Sequence, residues 1–292
     1  MNGGTQRCPL CGRVARKRLQ LRHAAVMLCR NPDCRLMFAF PQLGNLELEA
    51  AYRDYYYPES NAAKATYEST PEEIQRQIFN AATARFGPLG GKWMLDFGCG
   101  LGSLCEVARE YGIHSIGIES DACAREAARR QADFGVFANL DELQGTAPET
   151  RFDMIVMREV VEHLREPWKE LERLRKLLKK GGWLVLTTPN ANSLRGILER
   201  GHWANIVNPT HLYYFTRPSL RRVLEWAGFS EIEEWRFPIR YPGHNSLRRA
   251  IHRALAAFRL QGGLVFLARP DLYGPEKAGE AGAVKTEVIS AV

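Results

Sequence analysis

The chain of 292 residues contains no run of about 18 or more apolar residues, which excludes a helix long enough to span a bilayer. Its first twenty residues hold Arg7, Arg13, Arg16, Lys17 and Arg18 but no apolar block. That argues against a secretory signal, and a cytoplasmic protein is expected. Cysteine is sparse and odd in number, and seven residues suit a reducing compartment better than a disulfide framework. Acids are nearly missing from the first forty positions, where Asp33 stands against eight basic residues: Arg7, Arg13, Arg16, Lys17, Arg18, Arg22, Arg30 and Arg35. The entire net charge of +7 therefore belongs to this segment, and residues 41–292 balance with 32 charges of each sign. Attraction to a polyanion should begin there. A second acid-free stretch runs from Trp235 to Pro270.

Four of the seven cysteines fall in the basic segment, as Cys8, Cys11, Cys29 and Cys34, with the spacing C-x2-C-x17-C-x4-C. Thiolates on two tight turns, separated by enough chain for a hairpin, match a tetrahedral Zn²⁺. So small a segment also has little core to hold it together without metal. Residues 1–40 are thus expected to form a zinc-binding module. Four cysteines leave the ion no open position, so the site reads as structural. The alternative is four unliganded thiols, and His23 between the pairs reads as an ordinary surface histidine.

Trp93 to Glu110 combines a short apolar strand, the turn Asp96-Phe97-Gly98-Cys99-Gly100-Leu101-Gly102, and a helix whose Leu104, Val107, Ala108 and Tyr111 share one face. Glycines at alternate positions let the backbone bend sharply and let a ligand approach without meeting a Cβ. A second strand follows at Ser115–Ile118 and ends in Glu119, which lies 23 residues beyond Asp96. At that spacing a βαβ unit brings a carboxylate to ribose hydroxyls. Further strands are expected near Val136–Ala138, Phe152–Met157, Trp183–Thr188, Glu231–Phe237 and Leu264–Ala268. Helices are expected at Thr70–Phe86, Asp121–Gln131, from Pro167 to Lys180, and from Thr216 to Ala227. The alternation predicts an α/β, Rossmann-like domain over 41–270, with a mostly parallel seven-stranded sheet and helices on both faces.

Three stretches lie outside this frame. Tyr52, Tyr55, Tyr56 and Tyr57 could cap a ligand above the glycine turn, or pack between the zinc module and the main domain. Ser246–Leu260 sets Leu247, Ile251, Ala254, Leu255 and Phe258 on one helical face and Arg248, Arg249, His252, Arg253 and Arg259 on another. That pattern suits contact with an anionic membrane surface, or a helix packed on its own domain with a solvated basic face. Residues 271–292 are small and polar without period, and read as a mobile tail.

Met94-Leu-Asp-Phe-Gly-Cys-Gly-Leu-Gly102, Glu119, Phe152-Asp153 with Glu162-His163-Leu164, and Leu177 to Leu186 together resemble the class I S-adenosylmethionine-dependent methyltransferases. In particular they are similar to the branch holding ubiquinone-pathway O-methyltransferases and other small-molecule enzymes, where a segment like His211-Leu-Tyr-Tyr-Phe-Thr216 also occurs. The resemblance implies S-adenosylmethionine as cofactor, with Gly98, Gly100 and Gly102 admitting its methionyl part above Asp96. It implies Asn139 and Leu140 as the frame for adenine. Arg158 falls where the family lines the methyl end, and an arginine there departs from the pattern.

An acceptor hydroxyl or acidic carbon needs a base, for which His211, in the loop after the fifth strand, is the first candidate and His163 the second. Glu159, Glu162 and His163 offer a weak divalent-ion set on what reads as one helix. The acceptor is expected to be a small molecule, lipid-linked or made by a biosynthetic cluster. The competing class is an RNA methyltransferase gripping phosphates through residues 1–40, and a third is a non-catalytic binding protein. A nicotinamide dehydrogenase would need glycine where Ser103 stands.

Overall fold

The computed structural model of the protein describes residues 6–56, 72–131, 134–235 and 246–270. The expected helix cap at Thr70–Pro71, Tyr57 and the tail 271–292 lie outside the described residues.

The first strands are β1 (Gln6–Arg7), β2 (Val14–Gln20), β3 (Ala25–Cys29) and β4 (Met37–Phe40), an antiparallel ribbon followed by α1 (Asn45–Tyr56) and α2 (Glu72–Phe86). The main body then alternates: β5 (Trp93–Phe97), α3 (Ser103–Glu110), β6 (His114–Ile118), α4 (Ala122–Gln131), β7 (Gly135–Phe137), α5 (Leu140–Thr146), β8 (Phe152–Arg158), α6 (Pro167–Leu177) and β9 (Leu178–Pro189). After it come α7 (Leu194–Glu199), α8 (Ala204–Val207), β10 (Tyr213–Tyr214), α9 (Arg217–Trp226), β11 (Phe229–Glu234), α10 (Ser246–Ala257) and β12 (Gly263–Pro270).

Seven strands form one sheet in the order β11-β12-β9-β8-β5-β6-β7. The five from β7 to β9 are parallel, and β12 and β11 close the far edge antiparallel. Both faces are buried, which is why the central strands read as continuous apolar runs. Leu95, Phe97, Ile155, Met157, Leu184 and Leu186 pack with Leu171 and Leu174 of α6 and Leu220 and Val223 of α9. Met94, Met154, Val156, Trp183 and Val185 pack on the opposite face with Phe79 of α2 and Leu104 and Val107 of α3. The alternation of Met94 and Leu95 between faces is the period of two expected of a strand.

The ribbon does not end at β4. Tyr213–Tyr214 pairs with Met37–Phe38, so β10 becomes the fifth strand of the N-terminal sheet. One face of that sheet (Met27, Cys29, Phe38, Tyr213) joins the main core. The other (Leu28, Met37, Tyr214) is covered by Trp203 and Ile206. A two-residue strand of tyrosines carries no sequence signal of its own, and its pairing comes from this tertiary context.

Three expectations are corrected. The helix after Pro167 stops at Leu177, and Lys179 and Lys180 belong to β9. There Lys179 binds Asp153 at 2.6 Å instead of capping the helix. Residues 159–166 form turns and not a helix, so Glu159, Glu162 and His163 are spaced by a turn. Finally, of the two readings of the basic helix, packing on its own domain is not borne out at Leu247 and Ile251 of α10 or at Phe258 just beyond it, which are exposed, while Leu255 is half-buried. No helix among the described residues is long and apolar enough to cross a membrane.

Candidate functional site

The carboxyl ends of β5, β6 and β8 open into a cavity of about 800 Å³. Its wall begins at the glycine turn. Gly98, Gly100 and Gly102 all have positive φ, at 85°, 55° and 85°. A Cβ at Gly98 would run into the Val160 side chain, and one at Gly102 would stand 2.7 Å from Phe134. These positions therefore require glycine for conformation and for room. Gly98 and Gly102 are occupied closely by neighbours, so the space they create is used by the protein as well as by any ligand.

Glu119 holds the turn in shape. Its two carboxylate oxygens accept from the amides of Gly100 (2.9 Å) and Asp121 (2.8 Å). Burial raises its carboxyl above the ordinary value, and these two amides pull it back. Asp96 sits beneath at 1% exposure. Burial pushes its carboxyl up to about 6, against the pull of Arg158. One of its oxygens is buried with no hydrogen-bond partner, as is Nε of Arg158, which lines the cavity. Asn139 and Leu140 line the same cavity, and Asn139 also caps α5 by accepting from the Glu142 amide at 2.9 Å.

At the other end the segments after β8 and β9 meet. His163 Nδ1 lies 3.0 Å from the carbonyl of Thr210, and His211 Nδ1 lies 2.7 Å from that of Asn205. A carbonyl only accepts, so both rings carry their proton on Nδ1 and present Nε2 as an acceptor. The rings stand edge to face with centroids 4.6 Å apart. Burial lowers His163 to about 3 and His211 to about 4, so both are neutral near pH 7.

Glu162 is buried beside them, held by the hydroxyl of Thr188 at 2.9 Å, with its other oxygen unpartnered. Burial and Glu159 raise its carboxyl well above the ordinary value. Glu162, His163 and His211 offer ligand atoms within 4.8 Å of one another, a set able to hold a divalent ion. His211, from another segment, is thus the member that sequence spacing alone did not add to Glu162 and His163.

Two features were missed or only half seen in the sequence. Glu159 has φ 52°, unusual for a residue with a Cβ, and is fixed there by its amide to Thr187 O and its carboxylate to Thr187 Oγ1 (2.9 Å). Nothing in the chain's pattern marks such a conformation. Leu48 and Tyr52 of α1 also line the cavity, with the Tyr52 ring 5.6 Å from that of His163. The segment leading to α1 is tied down by Arg165, which donates to Leu43 O at 2.7 Å and Asn45 Oδ1 at 3.0 Å.

In the ribbon, Cys8 and Cys34 Sγ lie 3.8 Å apart and Cys11 and Cys29 Sγ 3.4 Å apart, and all four sulfurs lie within 4.8 Å. A tetrahedron with metal–sulfur bonds of about 2.3 Å places its sulfurs about 3.8 Å apart, so the four residues fit such an ion. Without one, the thiol of Cys34 pulls Cys8 down to about 5, while burial pushes Cys29 up to about 12.

The strand order and a glycine turn clamped by an acid at the end of the neighbouring strand define the Rossmann-like methyltransferase fold. The family model for "Methyltransferase domain" matches residues 71–234, more than half of the chain, and the chain belongs to that family. The ubiquinone biosynthesis O-methyltransferase of Bradyrhizobium sp. (strain ORS 278) is 36% identical over 107 residues, which are 36% of this chain and 42% of that protein. The enzyme of the same name from Paraburkholderia xenovorans (strain LB400) is 29% identical over 159 residues, 48% of this chain and 68% of that protein. The chain therefore spans less than half the length of the first of these relatives. The plantazolicin methyltransferase BpumL, solved with a pentazolic desmethylPZN analog and SAH, superposes with a TM-score of 0.53 at 16% identity, over 77% of this chain and 98% of that one. BamL, solved with a triazolic analog and SAH, gives 0.52 at 17%, over 77% and 97%. These two share the fold.

Proposed function

We propose that the protein transfers a methyl group from S-adenosylmethionine to a hydroxyl or carbon of a small-molecule acceptor. The observation that carries this reading is one cavity whose wall includes the glycine turn and Glu119 at one end and His163 and His211 at the other. S-adenosylmethionine, when bound, supplies an electrophilic methyl group on a sulfonium. The chain's task is then alignment and exclusion of water. Gly98, Gly100 and Gly102 would admit the methionyl part over Asp96, Glu119 would meet the ribose, and Asn139 and Leu140 would frame adenine. Arg158 would line the methyl end. The ubiquinone-pathway relatives, named for O-methylation, favour an oxygen acceptor.

His211 is the general base in this reading. Its Nδ1–H is held by Asn205 O, which leaves Nε2 as the acceptor, so the acceptor's proton would pass to Nε2. His163 would position it edge to face. The four ribbon cysteines would hold a structural Zn²⁺. The exposed apolar and basic faces of α10 support peripheral contact with an anionic membrane, which would bring in a lipid-linked acceptor.

A second reading, an RNA acceptor, draws support from the ribbon's charge: among the described residues none of its eight basic side chains has an acidic partner within salt-bridge distance. Incubation with methyl-labelled S-adenosylmethionine and either phenolic acceptors or total RNA separates the two. Label in the phenols supports the first reading, and label only in RNA replaces it with the second. Failure of S-adenosylmethionine to bind in calorimetry removes both.

A further inference from the structure

Several arginines elsewhere in the chain are paired with acids. Arg76 binds Glu72 and Glu110, Arg129 binds Glu142, Arg173 binds Asp141, and Arg217 binds Glu234. The N-terminal ribbon differs in balance: among the described residues it holds eight cations and one acid, and no ion pair. Three of the cations, Arg16, Arg30 and Arg35, line a cavity of about 230 Å³ together with Leu28, Cys29 and Pro32. Like charges gathered around a concave site repel one another, and an anion placed between them relieves that repulsion.

Local structure fixes this arrangement. Arg16 faces Leu28 across the β2–β3 pairing, one step from the Ala15–Cys29 pair. Arg30 follows Cys29, and its amide donates to Val14 O at 2.9 Å. Arg35 follows Cys34 in the left-handed region at φ 47°, with its amide on Asn31 O at 3.0 Å. The second cysteine turn therefore sets Arg30 and Arg35, and the β2–β3 pairing sets Arg16 beside them. The thiolates do not consume all this charge. Zinc on four thiolates leaves a local −2, so the segment keeps about +5.

We propose that Arg16, Arg30 and Arg35 form a binding site for a phosphate group. Planar guanidinium forks match phosphate oxygens in pairs, and three of them around one concavity can share a phosphoryl or pyrophosphoryl group. The ribbon shows few exposed apolar side chains, Val14 and Phe40 among them, so it lacks the anchors of a bilayer-inserting surface. The row Arg16, Leu28, Met37, Tyr214 runs across four strands, so the site stands roughly 14 Å across the sheet from Tyr214 and outside the methyl-transfer cavity. The assignment goes beyond the methyltransferase reading and does not depend on it.

The test is calorimetric titration of the full-length, zinc-loaded protein with inorganic pyrophosphate in a chloride buffer, without S-adenosylmethionine. Saturable binding of one pyrophosphate per chain is expected. R16Q and R30Q should each weaken it about tenfold, and R30K, which keeps the charge but loses the fork, should weaken it less. R22Q, at the far hairpin, should leave it within about twofold, since its charge lies outside the pocket. Zinc content and melting temperature of each variant verify the fold. A nucleoside diphosphate competing with pyrophosphate would identify a small phosphorylated ligand as the source. No saturable binding, equal weakening by R22Q, or binding of only an RNA oligomer or anionic vesicles would overturn the proposal.

Discussion

The amide of Gly100 donates to Oε2 of Glu119 at 2.9 Å, which makes the glycine turn and the acid of the next strand a single hydrogen-bonded unit. The carboxylate thus holds the turn and, in the proposed function, would also meet a ribose, so substituting it should disturb both.

Glu119→Gln removes the charge-assisted bonds to two amides while keeping the shape. Such bonds contribute roughly 1.5–3 kcal/mol, so S-adenosylmethionine affinity in calorimetry should fall about ten- to hundredfold. Unchanged affinity would refute the role given to this carboxylate.

Gly98→Ala combines a positive φ with a clash against Val160. The left-handed conformation alone costs roughly 1–2 kcal/mol for a residue with a Cβ. A lower melting temperature and lost cofactor binding are expected, and adding Val160→Ala should recover only the part due to the clash.

His211→Asn should lower kcat about 10²- to 10⁴-fold on a hydroxyl acceptor while S-adenosylmethionine affinity stays within about twofold. An effect on cofactor binding as large as that on kcat would place His211 in the wrong half of the cavity. Titration of the metal-stripped enzyme with divalent ions separates the base from the ligand role that Glu162, His163 and His211 could share.

Acid should destabilise the protein through these rings. His163 at about 3 and His211 at about 4 bind fewer protons than an unfolded histidine near 6.5. Between roughly pH 4 and 6.5 the unfolded chain therefore takes up more protons, and stability from these groups is lost as pH falls through that window. Asp96, raised to about 6, works in the opposite sense, so the comparison to make is between wild type and His163→Asn. The variant's melting temperature should depend less steeply on acidification, and parallel curves would contradict a buried neutral ring.

Cys8→Ser should release zinc, measured by elemental analysis, and lower kcat/KM with little change in cofactor affinity. The reason is β10, which hydrogen-bonds to the ribbon immediately after His211. Equal loss of cofactor affinity would mean that the ribbon supports the glycine turn as well.

The sequence was most informative where local chemistry and tertiary role coincide. The turn Gly98–Gly102, Glu119 after a strand, and Thr216 at a helix start are short-range patterns, and each stands in the expected place in the fold; the reciprocal bond from Ser219 at that cap is added by the structure. What could not be read depends on distant partners. The pairing of Tyr213 with Phe38, the meeting of Glu162 with His211 and the strained Glu159 all arise from contacts between segments far apart in the chain. The sequence overstates the reach of α6 because Lys179 reads as a good helix-ending cation, whereas it lies in β9, paired with β8 and bonded to Asp153.

The shared sheet also couples the ribbon to the cavity wall. Leu212 is gripped from both sides: its carbonyl accepts from Ala39 at 2.9 Å and its amide donates to Glu162 O at 2.8 Å. The residue next to His211 is thereby held between the N-terminal sheet and the turn after β8, so the His211 wall of the cavity is tied to the ribbon as firmly as to the main sheet.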